Sequence, residues 1–78
     1  MKVGVKIMPL KEILDSQGRA VEKLFQQHGK KVSEVRVGRY VELELPTSSK
    51  EAALSEAKEL AQFVLCNPLI EKFELEIK

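Results

Sequence analysis

The feature that most constrains this 78-residue chain is an alternating stretch, VRVGRYVELEL, at residues 35–45. Its odd positions are mainly valine and leucine, and its even positions carry arginine, glycine, tyrosine and glutamate. Side chains of a strand point alternately to opposite faces, so the pattern predicts strand with one apolar and one charged face. Gly38 offers a place to turn, and a three-residue turn over 38–40 would pair Val37 with Val41 and Val35 with Leu43. We favour such a hairpin, while one long bent strand has the same parity.

The same alternation predicts a strand at each end of the chain. The apolar positions of these strands are Val3, Val5 and Ile7 at the start and Phe73, Leu75 and Ile77 at the finish. Proline cannot donate to a sheet ladder, so Pro9 is expected to end the pairing of the first strand.

Apolar residues at helical spacing predict two helices between these strands. Asp15 or Ser16 can cap the first helix, and Gly29 is suited to terminate it. Ser48 with Glu51 has the spacing of a capping box for the second helix. That helix carries an apolar stripe, and Asn67-Pro68 is expected to end it. The stripe consists of Ala53, Ala57, Leu60, Ala61 and Val64.

The resulting order is strand, helix, strand, strand, helix, strand. Right-handed crossovers then place both helices on one face of the sheet. The sequence therefore predicts a ferredoxin-like α+β sandwich with a four-stranded antiparallel sheet, as one domain over residues 1–78. We expect Leu10, Ile13 and Leu14 to tuck under the first helix, and Leu69 and Ile70 to re-enter the core.

The opposite sheet face is expected to interleave lysine, arginine and glutamate. Its expected residues are Lys2, Lys6, Glu34, Arg36, Glu42, Glu44, Lys72, Glu74 and Glu76. Such a face is either solvated, or it is a self-complementary or partner-facing surface in which opposite charges pair across strands. A net charge of +1 and several glutamates argue against a nucleic-acid partner. Only Tyr40, expected at the hairpin tip, could stack on a base.

Catalytic patterns are missing from the sequence. There is no grouped serine, histidine and acid, no glycine-rich phosphate loop and no metal-ligand cluster. His28 falls in a last helical turn, and Cys66 is interpreted as a small packing residue. The lysines near the N-terminus are unlike a signal peptide, so we expect a cytoplasmic protein. The residues alone indicate a small α+β binding or assembly module.

Three segments resemble the PurS subunit of phosphoribosylformylglycinamidine synthase. They are LDSQGRAV at 14–21, VRVGRYVELEL at 35–45 and NPLIEKFELEI at 67–77. One departure is Ser16, where the family commonly has proline, and serine can still cap the helix. The resemblance implies a non-catalytic subunit of a carbon–nitrogen ligase in de novo purine biosynthesis. In such a complex a large synthetase subunit uses ATP and Mg, and a glutaminase subunit releases ammonia from glutamine. The small subunit would bridge the two and support ammonia transfer, with no cofactor of its own, and would form homodimers or tetramers.

Three places are our candidates for partner contact. They are the helix junction at Asp15, Gln17 and Gly18, the hairpin region at Arg36, Gly38 and Arg39, and the helix stop at Asn67, Pro68 and Glu71. Each also has a purely structural explanation as cap, turn or stop. We favour a flexible junction as the reason for Gly18, and close approach of another backbone or a ligand is the alternative. The two arginines bind an anion or carboxylate, or are simply solvated.

Two other classes of protein share this predicted fold. An ACT-like regulatory dimer would bind a small ligand between its helices and neighbouring strands. An acylphosphatase-like hydrolase would need a phosphate-binding loop after the first strand, and residues 8–11 offer no glycine for it.

Overall fold

The computed structural model describes residues 1–11, 13 and 15–78. Within that part of the chain, no helix is long and apolar enough to cross a bilayer. The elements are β1 (Lys2–Pro9), α1 (Ser16–Gln27), β2 (Arg39–Glu44), α2 (Lys50–Leu60), a π-helical turn (Ala61–Leu65) and β3 (Glu71–Ile77). The two terminal strands and the two helices therefore form as predicted, and Pro9 is the last residue of β1.

The strands form an antiparallel sheet of three strands in the order β2-β1-β3. Val5, at the centre, lies opposite Val41 on one side and Leu75 on the other. The predicted four-stranded sheet is wrong, because residues 35–38 lie outside the sheet and β2 begins at Arg39. The predicted hairpin is wrong for the same reason, and the chain continues from the preceding segment into β2.

Gly38 does not turn the chain. Among the described residues only Gly29 has a positive φ, of 73°. Gly38 instead lies against the end of β1, where a Cβ would collide with the Met8 sulfur and the Ile7 carbonyl oxygen. The glycine is therefore explained by close approach of two backbones rather than by a turn.

The core lies between β1 and α2. Val3, Val5 and Ile7 are fully buried, and the alanines facing them at positions 53, 57 and 61 are fully buried as well. Burying each branched side chain contributes roughly 1.5–3 kcal/mol, and alanine lets the helix approach the sheet closely. The alanine positions of the predicted stripe are thus confirmed. The predicted capping box is wrong, because the cap is Ser49, whose side chain accepts a bond from the Ala52 amide at 3.3 Å.

The π-helical turn changes which side chains face the sheet after α2. The Cys66 amide bonds to the Ala61 carbonyl at 2.9 Å, five residues back, so the turn holds one residue more than an α-helical turn. Phe63 and Val64 consequently point outward, with 78% and 73% of their surface exposed. The expected burial of Val64 is wrong, whereas Cys66 is buried as a packing residue, as predicted.

The turn between this helix and β3 keeps its apolar residues at the surface. The Asn67 carbonyl accepts bonds from the Ile70 and Glu71 amides, at 3.1 and 2.7 Å, which places Leu69 at the tip. Leu69 is 82% exposed and Ile70 is 42% exposed. The expectation that both re-enter the core is wrong.

Helix α1 begins and ends as predicted but does not cover the sheet. Asp15 caps it, and Gly29 follows its end in the left-handed conformation. It is α2 that packs on β1 and β3, while Leu24 and Phe25 of α1 remain 54% and 41% exposed. The prediction that both helices share one sheet face is wrong. Of the residues expected to tuck under α1, Leu10 and Ile13 are half-buried, and Leu14 lies outside the described residues.

The molecule is more elongated than a compact domain with the same number of residues. Its radius of gyration is 15.6 Å and its longest extent is 48 Å, whereas a compact domain of this length has a radius of about 12 Å. An eight-residue strand spans roughly 26 Å and a twelve-residue helix roughly 18 Å, which together nearly account for the long axis. We call residues 15–38 the arm, and β1, β2, α2 and β3 the sheet half.

The sheet face opposite α2 is polar. Lys2 pairs with Glu42 at 3.7 Å, so the charges interact across strands in part. Tyr40 lies over Gly4, where a Cβ would collide with its ring, and its hydroxyl donates to the Glu76 carboxylate at 3.3 Å. Tyr40 therefore belongs to the sheet and not to a loop tip. Glu34 and Arg36, which we expected on this face, lie in the arm.

Candidate functional site

The predicted contact residues gather at one end of the sheet. In the antiparallel order β2-β1-β3, the end of β1 meets the beginnings of β2 and β3, so Pro9 lies opposite Glu71 and Ile7 opposite Arg39. The start of α1 completes this end, and an open cleft of about 320 Å³ forms there. Five of the nine predicted residues line the cleft: Asp15, Gln17, Gly38, Arg39 and Glu71.

Asp15 connects the start of α1 to the segment before β2. One carboxylate oxygen accepts a bond from the Gly18 amide at 2.9 Å, and the other accepts one from the Val37 amide at 2.8 Å. These two bonds, first that from Gly18 and then that from Val37, lower the pKa of the Asp15 carboxyl below its ordinary value. Asp15 is therefore an ionised anchor rather than a proton donor.

Gly18 lies where two backbones meet. A Cβ at this position would collide with the Val35 carbonyl oxygen and with the Asp15 carboxylate. Close approach therefore explains Gly18, with the neighbouring backbone coming from the same chain, and the flexible junction that we favoured is wrong. Arg36 connects the segment before β2 to the end of β1, because its guanidinium donates to the Pro9 carbonyl.

Arg39 and Glu71 form an ion pair across the cleft. One terminal nitrogen of Arg39, Nη2, lies 2.9 and 2.8 Å from the two carboxylate oxygens of Glu71, and it also donates to the Leu65 carbonyl at 2.9 Å. Glu71 in turn accepts a bond from the Asn67 amide at 2.9 Å. Arg39 is thus neither a free anion site nor simply solvated, although 55% of its side chain remains exposed at the cleft.

Asn67 and Pro68 lie beside the cleft. The Asn67 side chain accepts a bond from the Leu69 amide at 3.1 Å and so shapes the turn. Pro68 lines a neighbouring depression of about 420 Å³, together with Phe63, Phe73 and the shared Glu71. Burial, and secondarily the Glu71 carboxylate, raise the pKa of the Cys66 thiol there.

An exposed apolar patch borders this region, and the sequence did not predict it. It consists of Phe63, Val64, Leu69 and Ile70. Helical spacing assigned Val64 to the buried stripe, and nothing in the pattern signals the extra residue of the π-helical turn. The pair Asn67-Pro68 did indicate a turn, from which exposure of Leu69 could have been inferred.

The chemistry available at the cleft is that of recognition. Its carboxylates already accept bonds from amides or from Arg39, so they are held in place rather than poised to move protons. Within the described part of the chain, no three His, Cys, Asp or Glu residues are grouped to hold a metal ion. What remains exposed is the rim: the Gln17 side chain, part of the Arg39 guanidinium and the apolar patch.

Comparison with known proteins identifies one family over nearly the whole chain. The profile of the family described as PurS, phosphoribosylformylglycinamidine (FGAM) synthase, matches residues 2–78. The phosphoribosylformylglycinamidine synthase subunit PurS of Bacillus subtilis is 32% identical over 78 residues, covering 99% of this chain and 92% of that protein.

Solved structures agree with the sequence comparison. Thermus thermophilus PurS is 34% identical with a TM-score of 0.85, covering 99% of this chain and 95% of that one. A chain in the structure of PurLQS from Thermotoga maritima is 26% identical with a TM-score of 0.87, covering 96% and 93% respectively. The three segments on which the resemblance rests lie within this matched length, and the chain belongs to the PurS family of phosphoribosylformylglycinamidine synthase.

Proposed function

We propose that this chain joins the two catalytic subunits of phosphoribosylformylglycinamidine synthase, the glutamine-dependent ligase of purine biosynthesis to which its family belongs. One subunit is a glutaminase and the other is an ATP- and Mg-dependent synthetase, both acting in the cytoplasm. The chain holds them together and supports the transfer of ammonia between them. The observation that carries this proposal is the match to a chain of the Thermotoga maritima PurLQS structure, together with the family match over residues 2–78.

The chemistry of ammonia gives such a subunit a physical role. Ammonia released into water is protonated at neutral pH and then no longer acts as a nucleophile. Docking the two active sites in a fixed geometry removes the loss by diffusion and raises the effective concentration of ammonia at the second site. A small rigid protein can provide that geometry without any reactive group.

The cleft is the surface that we assign to one of these subunits. Its walls are fixed by the Asp15 bonds and by the Arg39–Glu71 pair, so little ordering is needed when a partner docks. The adjacent apolar patch supplies exposed surface that gains free energy when it leaves water. A fixed polar cleft beside an apolar patch is suited to a protein partner.

We also propose that the chain is a homo-oligomer within this complex. Its accessible surface is 5871 Å², whereas a compact monomer of 8.8 kDa exposes about 4,800 Å². The excess of roughly 1,100 Å² exceeds the roughly 800 Å² that each partner buries in a standard interface.

Reconstitution tests the joining role. The protein is mixed with the glutaminase and large subunit of the same organism, with glutamine, ATP and Mg, and complex formation is followed by gel filtration. Omitting this chain is expected to abolish the complex and the glutamine-dependent formation of amidine. If omission changes neither, the proposal is wrong.

A pair of substitutions tests the cleft. Gln17→Arg places a bulky cation at the rim and is expected to weaken the three-protein complex at least tenfold. Ser55→Arg adds the same side chain on the exposed side of α2, away from the cleft, and is expected to leave assembly unchanged. Equal behaviour of the two variants would remove the cleft from the docking surface.

A further inference from the structure

A second recess, separate from the cleft, lies on the sheet face opposite α2. Its volume is about 150 Å³, and Lys6, Arg36, Lys72 and Glu74 are among the residues that line it. We call it the basic recess. None of the described residues that line it also lines the cleft. What the basic recess binds is therefore a separate matter from the surface that we assign to the joining role.

Three cationic side chains from three separate segments meet at this recess. Lys6 of β1 pairs with Glu74 of β3, so Lys72, two residues earlier on β3, is its diagonal neighbour. Diagonal neighbours on paired strands lie roughly 7–8 Å apart, a distance that long side chains span. Arg36 reaches the same place from the segment before β2. The three charges therefore surround one small space from different directions.

These cations are not neutralised by the described part of the chain. None of the ion pairs between described residues includes Lys6, Arg36 or Lys72. The Arg36 guanidinium is half-buried and donates to the Pro9 carbonyl, which orients it, and its other N–H groups have no described acceptor. Like charges on neighbouring strands repel each other, so an anion held between them is bound favourably.

We propose that the basic recess binds the phosphate group of a phosphomonoester or a nucleotide. Its three cations and the Glu74 carboxylate leave a net charge of +2. A phosphomonoester carries about −1.5 to −2 at pH 7 and neutralises this charge, whereas a carboxylate neutralises half of it. A tetrahedral phosphate also offers oxygens in several directions, so each cation can meet a different oxygen, and the planar guanidinium of Arg36 can meet two.

The size of the recess limits it to the phosphate group. A volume of about 150 Å³ equals about five water molecules at roughly 30 Å³ each, which admits one phosphate group and excludes a nucleoside. The rest of the ligand consequently lies over the open sheet face, and the phosphate supplies most of the binding free energy. Inorganic phosphate, glycerol 3-phosphate and ADP are therefore expected to bind with similar affinity.

Titration of the full chain tests the site. Inorganic phosphate, glycerol 3-phosphate, ADP and acetate are added separately, and binding is followed by the NMR shifts of the backbone amides. The three phosphates are expected to shift the amides of Arg36 and Lys72 with a dissociation constant of about 1 mM or lower. Acetate is expected to bind at least about tenfold more weakly. No shift with any phosphate up to about 10 mM, equal binding of acetate, or binding of ADP alone would overturn the assignment.

A matched pair of substitutions locates the binding. Lys72→Gln is expected to weaken binding of inorganic phosphate at least about tenfold. Lys2→Gln removes the same charge from the same sheet face, but Lys2 pairs with Glu42 and lies roughly 13 Å along β1 from Lys6. It is expected to change the affinity little. Equal weakening by the two variants would mean that phosphate responds only to the overall charge of the protein, and the site would be rejected.

Removal of the carboxylate gives a change of opposite sign. Glu74→Gln raises the net charge of the recess and is expected to tighten phosphate binding several-fold. Damage to the fold cannot produce such an increase. Unchanged or weaker binding by this variant would contradict a phosphate held beside Glu74.

The outcomes for the recess and for the joining role are distinguishable. If no phosphate binds but Lys72→Gln weakens the reconstituted three-protein complex, the recess holds a carboxylate of a partner subunit and the phosphate assignment is wrong. If phosphate binds as described while omission of this chain leaves the complex unchanged, the joining role is wrong and the phosphate site stands.

Discussion

The sheet half and the arm are stabilised by different kinds of interaction. In the sheet half, the valines and isoleucine of β1 lie under the alanines of α2 and of the π-helical turn with no exposed surface. The arm is held by a few polar contacts, those of Asp15 within the arm and that of Arg36 with the Pro9 carbonyl of β1, and Leu24 and Phe25 of its helix remain exposed. The difference shows that one half of a chain can be stabilised by a buried core while the other half is held in place with apolar side chains exposed to solvent.

Core truncation is expected to give the largest difference between the halves. Ile7→Ala removes a fully buried side chain and is expected to lower the free energy of unfolding by about 2–5 kcal/mol. Leu24→Ala in the arm is expected to cost less than about 1 kcal/mol in the isolated monomer, since its side chain is already half exposed. Urea unfolding at low protein concentration measures both, and equal losses would show that the arm has a core of its own.

A glycine substitution tests the base of the arm. Helix propensity alone predicts that Gly18→Ala stabilises α1 by up to about 1 kcal/mol. The collision with the Val35 carbonyl predicts the opposite, a loss of about 2 kcal/mol. Gly29→Ala, where nothing lies within 4 Å but φ is 73°, is the comparison and is expected to lose about 1 kcal/mol. A rise in melting temperature for Gly18→Ala would show that α1 is not closely packed against the segment before β2.

The ion pair at the cleft is expected to have a smaller effect. Arg39→Lys keeps the charge but loses the planar group that meets both Glu71 oxygens and the Leu65 carbonyl. We expect a loss of roughly 1 kcal/mol, reduced in high salt. Lys2→Gln removes the more exposed pair with Glu42 and is expected to cost less than about 0.5 kcal/mol. Identical urea midpoints for the two variants would mean that the cleft is no better fixed than the open sheet face.

The smallest expected effect is the pH dependence of the Asp15 anchor. Because its pKa is lowered on folding, its contribution is complete above the ordinary carboxyl pKa and is lost as pH falls through the folded value. Between about pH 4 and pH 2, the wild type is therefore expected to lose more stability than Asp15→Asn, which retains a capping oxygen but no titration. Parallel melting curves over this range would contradict an ionised anchor.

Local patterns in the sequence predicted the sheet half well. Alternation located β1 and β3, and helical spacing located the alanines at 53, 57 and 61 that face the core. These predictions succeeded because the period of a strand and the period of a helix both reflect which face of the element is buried. The cap of α2 was misplaced by one residue because Ser48 and Ser49 both have the required chemistry, and only the backbone geometry selects Ser49.

The arm could not be predicted in the same way. The alternation of apolar and polar residues over 35–45 is the same for a hairpin and for a continuous strand. It therefore indicates which side chains share a face but not whether the chain reverses direction. Gly38 fits both, because glycine permits a turn and also close backbone approach. The expectation that α1 covers the sheet came from topology, whereas the exposed face of Leu24 and Phe25 depends on where the arm points.

The candidate contact residues were chosen as three separate places, and neither their meeting at one end of the sheet nor their bonds were predicted; their contact with a partner stays a prediction. The segments around Asp15, Arg39 and Glu71 do meet, since sheet order alone brings the end of β1 to the starts of β2 and β3. That Arg39 binds Glu71 depends on side-chain reach across the sheet, which spacing along the chain does not reveal.

The widened turn at Ala61–Leu65 has a consequence for how this surface can vary among related chains. A turn of this kind arises when one residue is inserted in a regular helix while both ends stay fixed. Losing one residue there would rotate Val64 inward and take Phe63 out of its present orientation. The outward position of these side chains therefore depends on the length of the helix, and a single codon gained or lost can create or erase it.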